Sequence, residues 1–546
     1  MKIIEFLRRR IKPAHVLIMI MAAAFLLRAI SALHRPMIAN DETIYVRMAE
    51  NLADGNRPFD MMGLTTTTWT PLLPVLTLFL VTFFGDYISS AYLLVVTFGA
   101  LLLLPVYLLA KQMFSERTGL LAAALMALSP LLIDYSSSIY SEGIYSFFLM
   151  MGLVFAWRFM QKPRLLPAAL TGIFMGLAYL ANATATYYIF ILIVMGLAVA
   201  RKNNSWNGFV RGLAIMVAFF CILAAPYVLF LHQELGKWTF TGKDLYSNRR
   251  ILDLGWDTPD GLMLNGMQLT DDGREIRILD LNKSSQNSSV VRYIAGHPGQ
   301  STRQFRQNYE TFILDILPVV FFVGWLPLLG LGIFGQSSDR RRGAGIGYIL
   351  IMSLPALLVL LLWQQGPRYY VPFVPLWLII AAEGWRYLED WGRDYVDGSD
   401  ALARKSQWSR IVPWIAGSLV VLPVLPFVNT IIKHQTNLTV YRQAGEWIRQ
   451  EAGPGSKIMS TDLSAAYYAG GQSILIPKAD YELTAKYARN KGDDYLVITG
   501  QDIAKWRPEL DRLLHDAVDH PEWILVDTEK NSSGNVAYVF RFTGKE

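Results

Sequence analysis

Long apolar runs separated by short polar links fill most of the chain, and a different rhythm takes over near residue 433. Apolar runs of roughly 17 to 25 residues suffice to cross a bilayer. Runs near 15–33, 87–110, 118–134, 142–160, 165–181, 183–200, 209–232, 311–334, 344–363, 369–387 and 411–431 predict about 11 spans by that criterion. The run 71–84, "PLLPVLTLFLVTFF", is apolar but short and Pro-rich, which predicts an interfacial or re-entrant helix. Residues 233–310 are polar and rich in Gly, Asp, Asn and Ser without sustained periodicity. They read as an elaborated loop with short helices, serving as a binding loop or as a linker. In the tail, "VYRQAGEWIRQEAGPGS" reads as an amphipathic helix stopped by Gly-Pro-Gly. Short β-rich runs then alternate with helical ones, predicting an α/β sandwich of roughly 110 residues. Its last two strands form a hairpin around "EKNSSGN". The predicted organisation is thus a membrane domain over 1–432, with outside loops at 34–86 and 233–310, and a soluble domain over 433–546.

Composition sharpens this picture. Of 546 residues, 53% are hydrophobic and 17% charged, and the mean hydropathy is +0.30, which excludes a soluble enzyme. The first stretch has a basic start like a signal peptide, but its apolar run is long and no small-residue cleavage site follows, so it reads as a retained span. A lone cysteine, Cys221, excludes an intrachain disulfide and a Cys-based metal site. The formal charge of +6 reflects basic clusters beside apolar runs, a topological signal that makes nucleic acid an unneeded partner. With 71–84 not crossing, "RRRIK" (8–12), Lys111, Arg117, "QKPR" (161–164), "RKNN" (201–204), "DRRRG" (339–343) and "ARKSQWSR" (403–410) fall on the cytoplasmic side. Residues 34–86, 135–142, 233–310, 364–368 and the tail then face outward, as in a multi-pass protein of the plasma or inner membrane.

Three outward elements carry candidate chemistry. In "NDETIYVRMAEN", Asn40 is placed to cap a helix whose first turn holds Asp41 and Glu42, where carboxylates favour the helix dipole. Tyr45 lies one turn from Asp41, and Arg47 and Arg57 bring positive charge. "DYSSSIYSEG" puts Glu142 at the mouth of a span, and "QQGPRYYVPFVP" opens another with Arg368 beside Tyr369. Each has a bland reading, as helix cap, interfacial carboxylate or snorkelling arginine. Taken together, two acidic positions and an arginine at one water–lipid boundary suit a phosphate-headed lipid reacting with a hydroxyl. The seven histidines include no HExxH pair, and no Gly-rich phosphate loop follows a tail strand.

The order of these features resembles the GT-C superfamily of membrane glycosyltransferases. It comprises Asp-Glu and Tyr after the first span, a Pro-containing helix returning to the membrane, "ALMALSPLLIDYSSSIYSE", "GIFMGLAYLANATA" and a late "RYYVPFVPLWLIIAAEG". The branch resembled is that of protein O-mannosyltransferases and lipid A aminoarabinose transferases. The resemblance spans about 10–435, and "YRQAGEWIRQ" is similar to the start of the soluble domain in many prokaryotic members. It implies a polytopic α-helical GT-C fold with about 11 to 13 membrane helices and a C-terminal α/β domain. It also implies transfer of a hexose or pentose from a polyprenyl-phosphate donor to a lipid, glycan or protein acceptor, with inversion. On this resemblance Asp41 is the base, Glu42 its support, Glu142 the acidic residue of the second outside loop, and Arg368 the phosphate contact, with Tyr45, Arg47, Arg57 and Tyr369 lining the substrate. The aminoarabinose transferases tend to carry Arg and Lys where this chain has Ile44 and Thr70, so phosphate binding leans on Arg368, with Arg47 or Arg57. No cofactor is expected. A divalent cation at Asp41, Glu42 and Glu142 is the less favoured alternative. A transporter or flippase of a lipid-linked substrate is the alternative function, for which charge in mid-span and paired broken helices are the signature. The predicted spans show little of either.

Overall fold

The computed structural model describes residues 12–55, 60, 61, 64, 65, 67, 69–242, 267–269, 274, 276–278, 296, 298–335, 339–362, 366–397, 438–515 and 521–544. They form two compact units: Met1–Leu33 with Trp69–Thr241 and Arg303–Asn429, and His34–Thr68 with Gly242–Thr302 and Thr430–Glu546.

The first unit is helical. Among the described residues six helices are long and apolar enough to cross a membrane: Pro13–Leu33, Tyr87–Met113, Glu142–Gln161, Ala185–Lys202, Trp206–Leu235 and Arg340–Leu362. Large apolar side chains on them, including Leu26, Phe190 and Ile222, are exposed, as a lipid-facing surface requires. Leu72–Phe84 has 13 residues and reaches only about 20 Å at 1.5 Å per residue. That is too short for a ~30 Å core. The predicted spans 118–134 and 311–334 are each interrupted. Residues 118–134 divide into Glu116–Ala127 and Pro130–Tyr135, because Pro130 opens a new helix and drives Ser129 into extended backbone. Residues 311–334 divide at Pro318, Gly324 and Pro327 into a π-turn over Phe312–Ile316, Leu317–Val320, a 3-10 turn over Val323–Trp325 and Leu326–Phe334. The predicted span 411–431 lies outside the described residues.

Helix Val374–Asp397 runs through the core, with Val374, Leu376, Leu378, Ile379, Ile380, Ala381 and Ala382 buried. It meets Leu326–Phe334 so closely that a Cβ on Gly384 would lie 1.9 Å from the Leu328 carbonyl oxygen, so only glycine fits. Polar anchors sit inside this apolar packing. The Glu383 carboxylate, 1% exposed, accepts from Arg342 Nε (3.2 Å), from Arg386 Nε (3.0 Å) and Nη2 (2.6 Å), and from Thr118 Oγ1 (3.0 Å). Arg342 also donates to the carbonyls of Gly335 (2.6 Å) and Gly332 (2.8 Å). A buried ion of either sign is tolerable only with this many partners.

In the second unit a five-stranded sheet has the order Gln472–Leu475, Lys457–Ser460, Tyr495–Thr499, Val536–Phe542, Trp523–Lys530. The first three strands are parallel and the last two antiparallel, closing the hairpin expected around "EKNSSGN". Tyr495–Thr499 is buried at every position because helices cover both faces of the sheet. Alternation sends Leu496 and Ile498 into one core with Phe540 and Tyr481, and Tyr495 and Val497 into the other with Val440 and Ala444. The helix Thr439–Ala452 that covers the latter face is the amphipathic one legible in the sequence.

Candidate functional site

Within the helical unit the structure brings Glu142 and Arg368 together. Glu142 is the first residue of helix Glu142–Gln161, where the helix dipole favours its charge, and it is 6% exposed. Arg368 lies in the short helix Pro367–Tyr370 and donates from Nε to Glu142 Oε1. Its guanidinium stacks over the Tyr140 ring at 4.4 Å, a cation–π contact that orients the fork. Glu142 Oε2 is buried with no hydrogen-bond partner among the described residues. A buried carboxylate oxygen is costly to leave unpaired, which marks this atom as one awaiting a donor. Tyr369 is 38% exposed, while Tyr370 is buried and stacks on Phe312 at 5.0 Å, fixing the helix that carries Arg368.

A residue unremarked in the sequence holds the link leading to Glu142. Arg28, fully buried near the end of helix Pro13–Leu33, donates from Nε to Ser136 Oγ (2.8 Å) and reaches the carbonyls of Ala24 (3.1 Å), Ala127 (3.4 Å) and Met126 (3.4 Å). It satisfies the carbonyls freed where Pro130 breaks the helix. The sequence signal is one cation in the otherwise uncharged run "VLIMIMAAAFLLRAISAL", five residues before the helix ends.

Within the other unit Asp41, Glu42, Tyr45 and Arg47 all lie on helix Asp41–Ala53. Asp41 is half-buried at its first position, and Glu42 and Tyr45 are buried. The side chain of Asn40 does not cap the helix, contrary to expectation. Asn40 instead turns the chain at φ 47°, a region Asn tolerates better than most residues. The Glu42 carboxylate secures the entry by accepting from the Ala39 N–H at 3.1 Å. Arg57 lies outside the described residues.

The soluble domain grips this helix at both ends. The Ile38 N–H donates to Tyr468 Oη (2.9 Å), Arg442 donates to the Pro36 carbonyl, and the Asn40 N–H donates to the buried Asp462 carboxylate. One turn on, Arg47 pairs with Glu50 (3.2 Å), donates to the Gly471 carbonyl (3.0 Å) and stacks over Tyr467 at 4.9 Å. Tyr467 Oη donates to Glu50 Oε1 at 3.2 Å. Burial pushes the Glu50 carboxyl up, partly offset by Arg47 and Tyr467. Burial likewise raises Asp462, against hydrogen bonds from Ser464 and Asn40 that lower it.

An acid whose folded pKa exceeds its unfolded one holds its proton longer in the folded state, so stability falls as pH rises from the unfolded value through the folded one. Asp462→Asn keeps an oxygen for the Asn40 N–H and removes that titration. The variant is expected to melt at a temperature less dependent on pH in this window, measured by thermal unfolding of the detergent-purified protein. An unchanged pH slope would mean that Asp462 is not the titrating group.

Among the described residues no three His, Cys, Asp or Glu side chains converge as a metal site would need.

Comparison with known proteins bears on all of this. The family described as dolichyl-phosphate-mannose-protein mannosyltransferase matches residues 69–230. No curated protein matches the chain in sequence. The crystal structure of the Archaeoglobus fulgidus oligosaccharyltransferase in its apo form superposes with a TM-score of 0.60 at 13% identity, over 96% of this chain and 74% of that one. ArnT from Cupriavidus metallidurans bound to undecaprenyl phosphate superposes with a TM-score of 0.59 at 15% identity, over 96% and 97% of the two chains. The archaeal oligosaccharyltransferase AglB in complex with an inhibitory peptide and a dolichol-phosphate matches with a TM-score of 0.55 at 13% identity, over 96% and 74%. The chain has the GT-C fold. The chain thus has the apolar helical architecture and C-terminal α/β domain expected from its sequence. Its α/β domain holds the helix of Asp41 through Tyr467, Tyr468 and Asp462. No local motif announces those contacts, because they join residues more than 400 positions apart.

Proposed function

We propose that the GT-C chain is a membrane glycosyltransferase that moves a sugar from a polyprenyl-phosphate donor to an acceptor hydroxyl on the extracytoplasmic face of the plasma or inner membrane. The observation that carries this reading is the buried Glu142–Arg368 pair at the mouth of a span, in a fold shared with a protein that binds undecaprenyl phosphate. In the proposed step Asp41 takes the proton of the acceptor hydroxyl. The acceptor oxygen bonds to the anomeric carbon as the bond from that carbon to the phosphate oxygen breaks. One displacement inverts the anomeric centre. The electron pair leaves on the carrier phosphate, whose added charge Arg368 meets with its planar fork. Glu142 holds Arg368 in place, and Glu42 holds the turn that presents Asp41. Arg47, engaged with Glu50 and Gly471, serves this arrangement by fixing the Asp41 helix. Lipid, glycan and protein hydroxyls all suit this chemistry as acceptors.

The test is mass spectrometry of polyprenyl-phosphate lipids from cells with and without the protein. Cells lacking it are expected to accumulate a glycosylated carrier whose mass names the sugar. Identical lipid pools in the two strains would overturn the reading, and a redistribution of the same lipid between leaflets without change in its amount would favour a flippase.

A further inference from the structure

The helical unit holds a polar cavity at the end of helix Glu142–Gln161 far from Glu142. Helix Glu142–Gln161 has 20 residues, so its last turn lies about 30 Å from Glu142, the thickness of a bilayer core. There a cavity of about 500 Å³ is lined by Gln112, Trp157, Arg158, Lys162, Arg164 and Arg341, among others. Four of these are cations, and among the described residues no carboxylate lines the space. Neighbouring cations at this end have partners: Lys111 with Glu116, Arg117 with Glu389 (2.6 Å), Arg342 with Glu383 (3.2 Å) and Arg386 with Asp390 (2.7 Å). The side chains of Arg158, Lys162, Arg164 and Arg341 have no carboxylate partner among the described residues. Asp339 accepts from the backbone N–H of Arg341 (2.8 Å).

Gln112 preorganises two of the four. Its side-chain oxygen accepts from Arg158 Nε (3.1 Å), and its backbone carbonyl accepts from Arg341 Nε (2.9 Å) and from a terminal nitrogen of the same guanidinium. Among the described residues neither terminal nitrogen of Arg158 has an acceptor, and Gln112 Nε2 is buried with no partner. We propose that this cavity binds the phosphate head group of an anionic membrane phospholipid, in the leaflet opposite the Glu142–Arg368 pair. Concentrated positive charge with unused guanidinium and amide donors selects a phosphate. The surroundings select a lipid: the cavity lies where apolar helices end, and Leu165 and Leu166 beside it are 52% and 69% exposed, a path for acyl chains. Basic pockets between membrane helices bind such head groups on general electrostatic grounds.

The experiment is native mass spectrometry of the full-length protein in detergent, incubated with phosphatidylglycerol, phosphatidylcholine or inorganic phosphate. Wild type and Arg201→Gln, a cation at the end of another apolar helix, are expected to retain phosphatidylglycerol and not phosphatidylcholine. Arg158→Gln/Arg341→Gln is expected to retain about tenfold less. Equal retention by that variant, or equal retention of the zwitterionic lipid, overturns the proposal. Displacement of the lipid by millimolar inorganic phosphate reassigns the cavity to a free anion and overturns it too. Lys162→Gln/Arg164→Gln, at exposed positions with no protein partner, supplies the same comparison should the arginine variant aggregate.

Discussion

Replacing Asp41 with Asn is expected to leave the protein folded and to slow sugar transfer by about 10² to 10⁴-fold, the usual contribution of a positioned general base. Asn has the shape of Asp and can still accept a hydrogen bond, but it cannot take a proton at neutral pH. The substitution removes one carboxylate charge from a helix start, where its interaction with the helix dipole is worth about 0.3–1 kcal/mol. That is small against the contacts holding the helix at Ile38, Arg47 and Glu50. The measurement is turnover of the glycosylated carrier in membranes at matched expression. Wild-type turnover by the variant would reduce Asp41 to a helix-terminal charge. Glu42→Gln sharpens the distinction: it retains an oxygen for the Ala39 N–H, so its effect is expected to be much the smaller of the two.

The Glu142–Arg368 pair makes the second large effect. Glu142→Gln leaves Arg368 without its ionic partner in a site where only 28% of the arginine side chain is exposed. Removing one member of a buried pair costs about 3–5 kcal/mol, and partial exposure of Arg368 places this case toward the lower end. Arg368→Gln should destabilise similarly and also remove the charge proposed to meet the leaving phosphate. The double variant Glu142→Gln/Arg368→Gln separates the roles, because two neutral amides can pair with each other. Its melting temperature is expected to return toward wild type while transfer stays abolished. If transfer returned together with stability, the pair would be a structural staple and the phosphate contact would lie elsewhere.

The fold was legible to the degree that its signals are local. Twenty apolar residues in a row must find hydrocarbon or a core whatever lies around them, so Glu142–Gln161 and Trp206–Leu235 could be placed from sequence. The short β-rich runs in "DDYLVITG" and "VAYVFRF" likewise announced two strands that pair in the sheet. The breaks in 118–134 and 311–334 also have local causes, at Pro130, Pro318 and Pro327. An apolar run with proline is nevertheless ambiguous, since kinked and broken helices share the same composition.

The candidate site divides in the same way. Carboxylates at helix starts and an arginine between a proline and two tyrosines mark Asp41, Glu142 and Arg368 within short windows of sequence. Pairing Arg368 with Glu142 joins positions 226 apart, and placing Tyr468 on Ile38 joins positions 430 apart. Arg28 resembles an ordinary flanking cation until Ser136 and the Met126 and Ala127 carbonyls are seen around it. The sequence by itself therefore determined the fold class, its apolar helices, its α/β domain and the residues proposed for the site, because hydrophobicity and backbone propensity act over a few turns of chain. Only the tertiary structure decided which charges are partnered, which are left open and what holds the Asp41 helix, because those depend on side chains that meet through folding across hundreds of residues.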